Sequence, residues 1–139
     1  MDDEPAPSTQ LPVVEFAFPG PLRDTLVAAV LSGAKTSTTS VLAEWDSDPA
    51  AELGVVSSVV GSDGVAVALI ETTEVRVVRL ADVDVAHVID EGEGDTSVAQ
   101  WRAGHVGFWS SPEYQAELGP DFVLDDDTLL VLQRFRVVS

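Results

Sequence analysis

The stretch from Val55 to Arg79, VVSSVVGSDGVAVALIETTEVRVVR, decides the fold class. Two runs rich in valine, isoleucine and threonine flank Gly61-Ser62-Asp63-Gly64, a composition that turns a chain back on itself. Val55 to Val60 reads as one strand, and Val65 to Arg79 as one long bent strand or two. A tight hairpin joins antiparallel neighbours, so the sheet is expected to be largely antiparallel.

Upstream, Leu22 to Ser32 has helical periodicity, with Pro21 placed to start it and Gly33 to stop it. Leu22, Leu26, Ala29 and Val30 fall on one face, the expected buried one. The segment AKTSTTSVLAEW, from Ala34, reads as a turn into a short strand, with Val41 to Trp45 open to a helical reading. Downstream, Asp82 to Asp90 reads as a short helix stopped near Gly92, and EGEGD, Glu91 to Asp95, as a loop. Ser97 followed by Gln100 has capping-box spacing at the start of a second good helix. On that helix Trp101, His105 and Phe108 share a face, and Gly104 and Gly107 weaken it. Pro112 to Leu118 adds a turn or two. Thr128 to Val138, apolar and free of Gly and Pro, reads as a central strand. The sum is an α+β fold: a small curved sheet or barrel with helices packed to one side.

At 139 residues the chain is one domain, long enough to bury a self-supporting core. Its acidic, proline-rich start, residues 1–14, reads as a disordered tail, leaving 15–139 as the folded domain. That start lacks the basic and apolar regions of a signal peptide, and no apolar run reaches the ~18 residues of a membrane span. A cytoplasmic location is the expectation. Twenty-four acids against seven bases give a net charge of −17, and Lys35 is the single lysine. Such a balance disfavours duplex DNA and anionic membranes and leaves small neutral or cationic ligands unhindered. With no cysteine there is no disulfide framework, thiol nucleophile or thiolate zinc site. Two histidines make a His-rich metal centre an unlikely design, and neither metal nor cofactor is expected.

Few residues remain that carry chemistry. Lys35 directly follows a helix stop, where it is either a cation favoured by the helix C-terminus or a partly buried base at a pocket mouth. Thr38 offers a hydroxyl nucleophile if the segment turns, because a regular strand would send the two side chains to opposite faces. Glu71 is a carboxylate inside an apolar strand: either it faces outward, or it is paired, with Lys35 as a candidate partner. The EGEGD loop reads as solvated, since nothing in it fixes a metal geometry. Trp101, His105, Phe108 and Trp109 read first as core; any part facing a cleft could stack on a nucleobase, with His105 donating a hydrogen bond. Arg76, Arg79, Arg102, Arg134 and Arg136 are the residues from which a local basic patch could be built.

The ordered set SGAKTSTTS, GSDGVAVALIETTEVRVVRLADVD, EGEGDTSVAQWRAGHVGFW and LLVLQRFRVV resembles a bacterial ASCH-domain protein of the longer form. The likeness runs from about Phe18 to Val138 and rests on G-x-K-T-x-T, I-E-T-T-E-V, E-G-E-G-D and W-R-x-x-H in one order. It implies a PUA-like fold, a small, mostly antiparallel barrel flanked by helices with a cleft beside it. Some short bacterial relatives are amidohydrolases that deacetylate 4-acetylcytidine. Carried over, their catalytic set implies Lys35, Thr38 and Glu71, with Trp45, Trp101 and His105 as candidate substrate contacts. The resemblance therefore implies a hydrolase of an acylated nucleoside or similar small amide. Its alternative is a module binding a nucleotide or single-stranded RNA, or cleaving RNA as one longer relative is reported to do. The short amidohydrolases lack the EGEGD and W-R-x-x-H segments, so their substrate need not be shared.

Overall fold

The computed structural model describes residues 11–139, so most of the expected tail lies outside it. The part of that tail that is described includes a strand: β1 (Val13–Val14) pairs in parallel with β3 (Val56–Val60), through Val13 opposite Ser58 and Val14 opposite Val59. β3 turns through the predicted Gly61 to Gly64 loop into β4 (Ala66–Arg79), a single strand of 14 residues. β4 pairs antiparallel with β5 (Leu129–Val137), and β5 with β2 (Ser37–Val41). The strand order is β1-β3-β4-β5-β2, which puts β5 inside the sheet as its composition predicts.

The sheet is open. β1 pairs with β3 and β2 with β5, and these two strands are the edges of the five-stranded array. The expected barrel is therefore corrected to an open, curved sheet: a two-residue edge offers too few ladder bonds to close one. Four helices accompany it: α1 (Pro21–Ser32), α2 (Val85–Asp90), α3 (Val98–Trp109) and α4 (Pro112–Leu118).

These helices cover both faces rather than one. Successive residues of a strand point to opposite sides. On β5, Leu130 and Leu132 join Val41, Leu80, Val88, Trp101, Trp109 and Tyr114 in one cluster with α2, α3 and α4. Phe135, of opposite parity, joins Leu26, Val27 and Val30 of α1 with Val59, Ala68 and Ile70 in another. β4 contributes Ile70 to the second cluster and Val78 to the first although both are even-numbered. A bulge between Thr72 and Glu74 adds the residue that exchanges the faces.

α1 begins and ends where the sequence predicts, with Gly33 in the left-handed conformation at its end (φ 85°). Its buried stripe is rotated by one position: Arg23, Leu26, Val27 and Val30 are buried, while Leu22 is exposed. The rotation follows from Arg23, whose guanidinium donates to the carbonyls of Phe16, Ala17 and Gly61 and pairs with Glu15. No helix among the described residues is long and apolar enough to cross a membrane.

Candidate functional site

Alternation along β4 and β5 sets the floor of a cavity of about 860 Å³. Ile70, Thr72, Gln133 and Phe135 line it, and Thr38, which stands opposite Gln133, points the same way. Phe16 and Phe18 from the segment before α1, and His105 and Phe108 from α3, form further parts of its wall.

Lys35 reaches this cavity from outside the strand rule. β2 begins only at Ser37, and the Lys35 backbone N–H still donates to Ala29 of α1, so the lysine belongs to the helix end. Its side chain is 1 % exposed. The ammonium donates to the Glu91 carbonyl at 3.3 Å and to Glu93 Oε2 at 2.8 Å, and it lies 5.6 Å from the centre of the Phe16 ring. Lys35 is thus buried at the cavity and close to the end of α1. Lys35 and Thr38 both line the cavity, while the hydrogen-bond partners of the ammonium are Glu91 and Glu93.

The partner of Lys35 is Glu93, not Glu71. Ile70 and Thr72 face the cavity, so the residue between them faces away. There Glu71 stands opposite Arg136 and pairs with it at 2.6 Å. The EGEGD loop, read from sequence as solvated, supplies the acid instead. Glu91 is 1 % exposed and the Glu93 side chain 22 %. Gly92 makes this docking feasible: it has φ 67°, and a Cβ there would stand 2.1 Å from the Ala34 carbonyl oxygen. The alternation of glycine with acid is the signal that could have found the loop.

Behind Lys35 and Glu93 lies a buried polar network. Glu91 Oε2 accepts from the Thr39 hydroxyl and lies 3.0 Å from His87 Nε2, which is 2.7 Å from Thr39 Oγ1. Glu91 Oε1 lies 3.1 Å from His105 Nε2, an ion-pair contact whose alignment falls short of a good hydrogen bond. His105 Nδ1 faces the Trp101 carbonyl at 2.9 Å. Both ring nitrogens of His105 thus face acceptors, which favours the imidazolium.

The electrostatics follow from these contacts. Burial pushes Glu91 up, but His105, His87 and the Lys35 charge outweigh it and hold the carboxyl well below the usual range. Burial raises Glu93; Lys35 pulls it down and Glu91 repels it, leaving it above the ordinary value. Burial lowers His105, but Glu91 and then Glu93 favour its charged form, and the net shift is upward. Glu91, Glu93 and His105 bring ligand-type atoms within 4.8 Å of one another. The Lys35 ammonium already supplies the positive charge that this group demands.

The aromatic expectations divide. Trp45 and His105 line the cavity. Trp101 does not: it is fully buried, stacked on His105 at 4.3 Å and edge-on to Trp109 at 6.1 Å, and so it is core. Trp109 and Phe108 reach the wall instead. The five arginines named for a basic patch lie outside the cavity, and Arg76, Arg79, Arg102, Arg134 and Arg136 each pair with carboxylates, Arg76 and Arg134 sharing Glu74.

Residues 15–139 match the ASCH domain family. The fold is similar to an ASCH domain from Lactobacillus crispatus JV V101, at 29 % identity and a TM-score of 0.78 over 92 % of this chain and 79 % of that one. It is similar also to protein EF3133 from Enterococcus faecalis V583, at 26 % identity and a TM-score of 0.77 over 91 % and 76 % of the two chains. No curated protein gave a match. With the family match spanning nearly all of the described residues and both structures similar over more than nine-tenths of its length, the chain belongs to the ASCH domain family.

Proposed function

We propose that the protein is an amidohydrolase acting on an acylated nucleoside or a similar small amide, with Lys35, Thr38 and Glu93 as its reacting groups. The observation that carries this reading is the buried Lys35–Glu93 pair, 2.8 Å apart, in a cavity that a threonine hydroxyl also lines. A raised Glu93 eases the transfer of one proton from the ammonium to the carboxylate, which leaves a neutral amine and a carboxylic acid. The amine takes the Thr38 proton as its oxygen attacks the amide carbonyl. Glu93 gives its proton to the leaving nitrogen, and the amine product departs from an acyl-threonine. Water then attacks the ester and loses a proton to Glu93. Lys35 returns a proton to the Thr38 oxygen as the carboxylic acid leaves, and every group is restored. Trp45 is the cavity-lining aromatic placed to stack on a ring.

The test is ultraviolet detection of 4-acetylcytidine hydrolysis by wild type and three variants. Lys35→Met, Thr38→Val and Glu93→Gln are each expected to lose roughly a hundredfold or more in kcat/KM. Wild-type turnover that survives in Lys35→Met would overturn the proposal. Binding of RNA or nucleotides led by phosphate contacts is the weaker reading, because the cations it needs are engaged with carboxylates.

A further inference from the structure

Hydrolysis through Thr38 creates a charge that Lys35 and Glu93 do not meet. When the Thr38 oxygen attacks an amide, the carbonyl π pair moves onto its oxygen, and the adduct carries an oxyanion two bonds from Oγ. That charge forms in a cavity whose wall includes several carboxylates. The ammonium that re-forms at Lys35, as it takes the Thr38 proton, stays tied to the Glu91 carbonyl and to Glu93. A free hydrogen-bond donor beside Thr38 is therefore needed.

The sheet supplies one. β2 is an edge strand whose neighbour is β5, and in their antiparallel register Gln133 is the residue directly opposite Thr38. Side chains so opposed share a face, with Cβ atoms about 4.5–5.5 Å apart. Both of these line the cavity. Neither the Thr38 hydroxyl nor the Gln133 carboxamide forms a side-chain hydrogen bond with another described residue, while Thr39 and Ser40 beside them do. Arg23, Lys35, Trp45 and His105 also bring side-chain N–H groups to the wall, but theirs are engaged by other groups. The Trp109 indole is packed edge-on to Trp101 within the core of α3. Gln133 is half-buried, and its neutral carboxamide offers two N–H donors without adding a charge for the nearby carboxylates to claim.

We propose that Gln133 is a catalytic residue of this site, its side-chain N–H donating to the oxyanion that forms on the substrate carbonyl. The inference rests on the amidohydrolase reading above. No proton leaves Gln133. The negative charge returns to the carbonyl as the C–N bond breaks in acylation, and again as the C–O bond to Thr38 breaks in deacylation. One donor thus acts in both steps.

The test measures 4-acetylcytidine hydrolysis by wild type, Gln133→Met and Gln133→Glu at pH 7.5. The methionine keeps the length and removes the donor; the glutamate keeps the shape and sets a negative charge where the oxyanion forms. In Gln133→Met, kcat is expected to fall about a hundredfold with KM kept within about threefold, and Gln133→Glu should lose more. The second readout is the thioacetyl analogue, whose sulfur accepts hydrogen bonds weakly. Wild type should prefer oxygen over sulfur, and Gln133→Met should lose most of that preference. The ratio does not depend on how much of the enzyme is folded, so a purely structural role would leave it unmoved. With wild type active, a kcat retained in both variants, a change confined to KM, or an oxygen preference that Gln133→Met keeps would overturn the proposal and leave the amidohydrolase reading in place. A wild type that hydrolyses neither compound would remove that reading and this one with it.

Discussion

Glu71 and Glu93 are the same residue type at very different sites, and the difference lies in what surrounds them. Glu71 faces Arg136 on the side of the sheet away from the cavity, while Glu93 faces a buried ammonium. Glu71→Gln is expected to retain kcat/KM within about twofold in the assay that Glu93→Gln fails, because a surface pair contributes at most about 1 kcal/mol. Glu91 has a stability role. Its folded pKa is depressed below the ordinary 4.5, so its contribution is present above that value and is lost as pH falls from there toward the folded pKa. Glu93, shifted upward by burial and in part by Glu91 itself, works in the opposite sense, and the variant removes the Glu91 part of that shift. Near pH 6, Glu91→Gln should cost about 3–5 kcal/mol in denaturant melts, with His87 and His105 left facing a neutral amide. Below pH 4.5 that difference should narrow by about 1.4 kcal/mol per unit. A penalty that did not change with pH would show that packing, not charge, is what Glu91 supplies. Lys35 and Thr38 were legible from sequence because their motif is local. The acid was not, since parity along a strand says which side a residue faces only once the partner strands are known.

At the scale of elements, the sequence located each described α-helix and each described strand apart from β1, and missed the 3-10 turn Pro49–Glu52. The two residues of β1 carry no periodicity, and their strand exists only because β3 offers an edge. The open form of the sheet and the helices on its two faces were not legible either. The first follows from the short edge strand, and the exchange of faces along β4 from the bulge between Thr72 and Glu74, which leaves no trace in a run rich in Val and Thr. The Ser97 and Gln100 pair shows a subtler departure. Ser97 does accept from the Gln100 N–H at 3.2 Å, but the Gln100 side chain turns to the Thr96 N–H and hydroxyl, so half of the capping box is displaced by one residue. β5 supplies buried residues to both clusters. Phe135, packed 6.3 Å from Phe16 between sheet and α1, is its anchor on the cavity side. Phe135→Ala should lower the unfolding free energy by about 3–5 kcal/mol, measured by urea melts. A loss under 1 kcal/mol would mean that the α1 face is not held by this contact.

For the whole molecule, all seven cations are engaged, and more than half of the carboxylates among the described residues pair with no Lys or Arg. Self-repulsion at a net −17 works against the compact state, and dissolved salt screens it. The melting temperature at pH 7.5 is therefore expected to rise by several degrees between low salt and 0.5 M sodium chloride. A flat response would place the acids too far apart to matter. The strand order has a consequence for how the protein comes into being. β2, which carries Thr38, has β5 as its strand neighbour in the sheet, more than 80 residues later in the chain. A ribosome delivers residues from the N-terminus onward, so the β3–β4 hairpin can form while β2 still waits without a strand to lie against. The cavity floor is complete only after β5 has emerged, so the pocket is among the last features the nascent domain acquires.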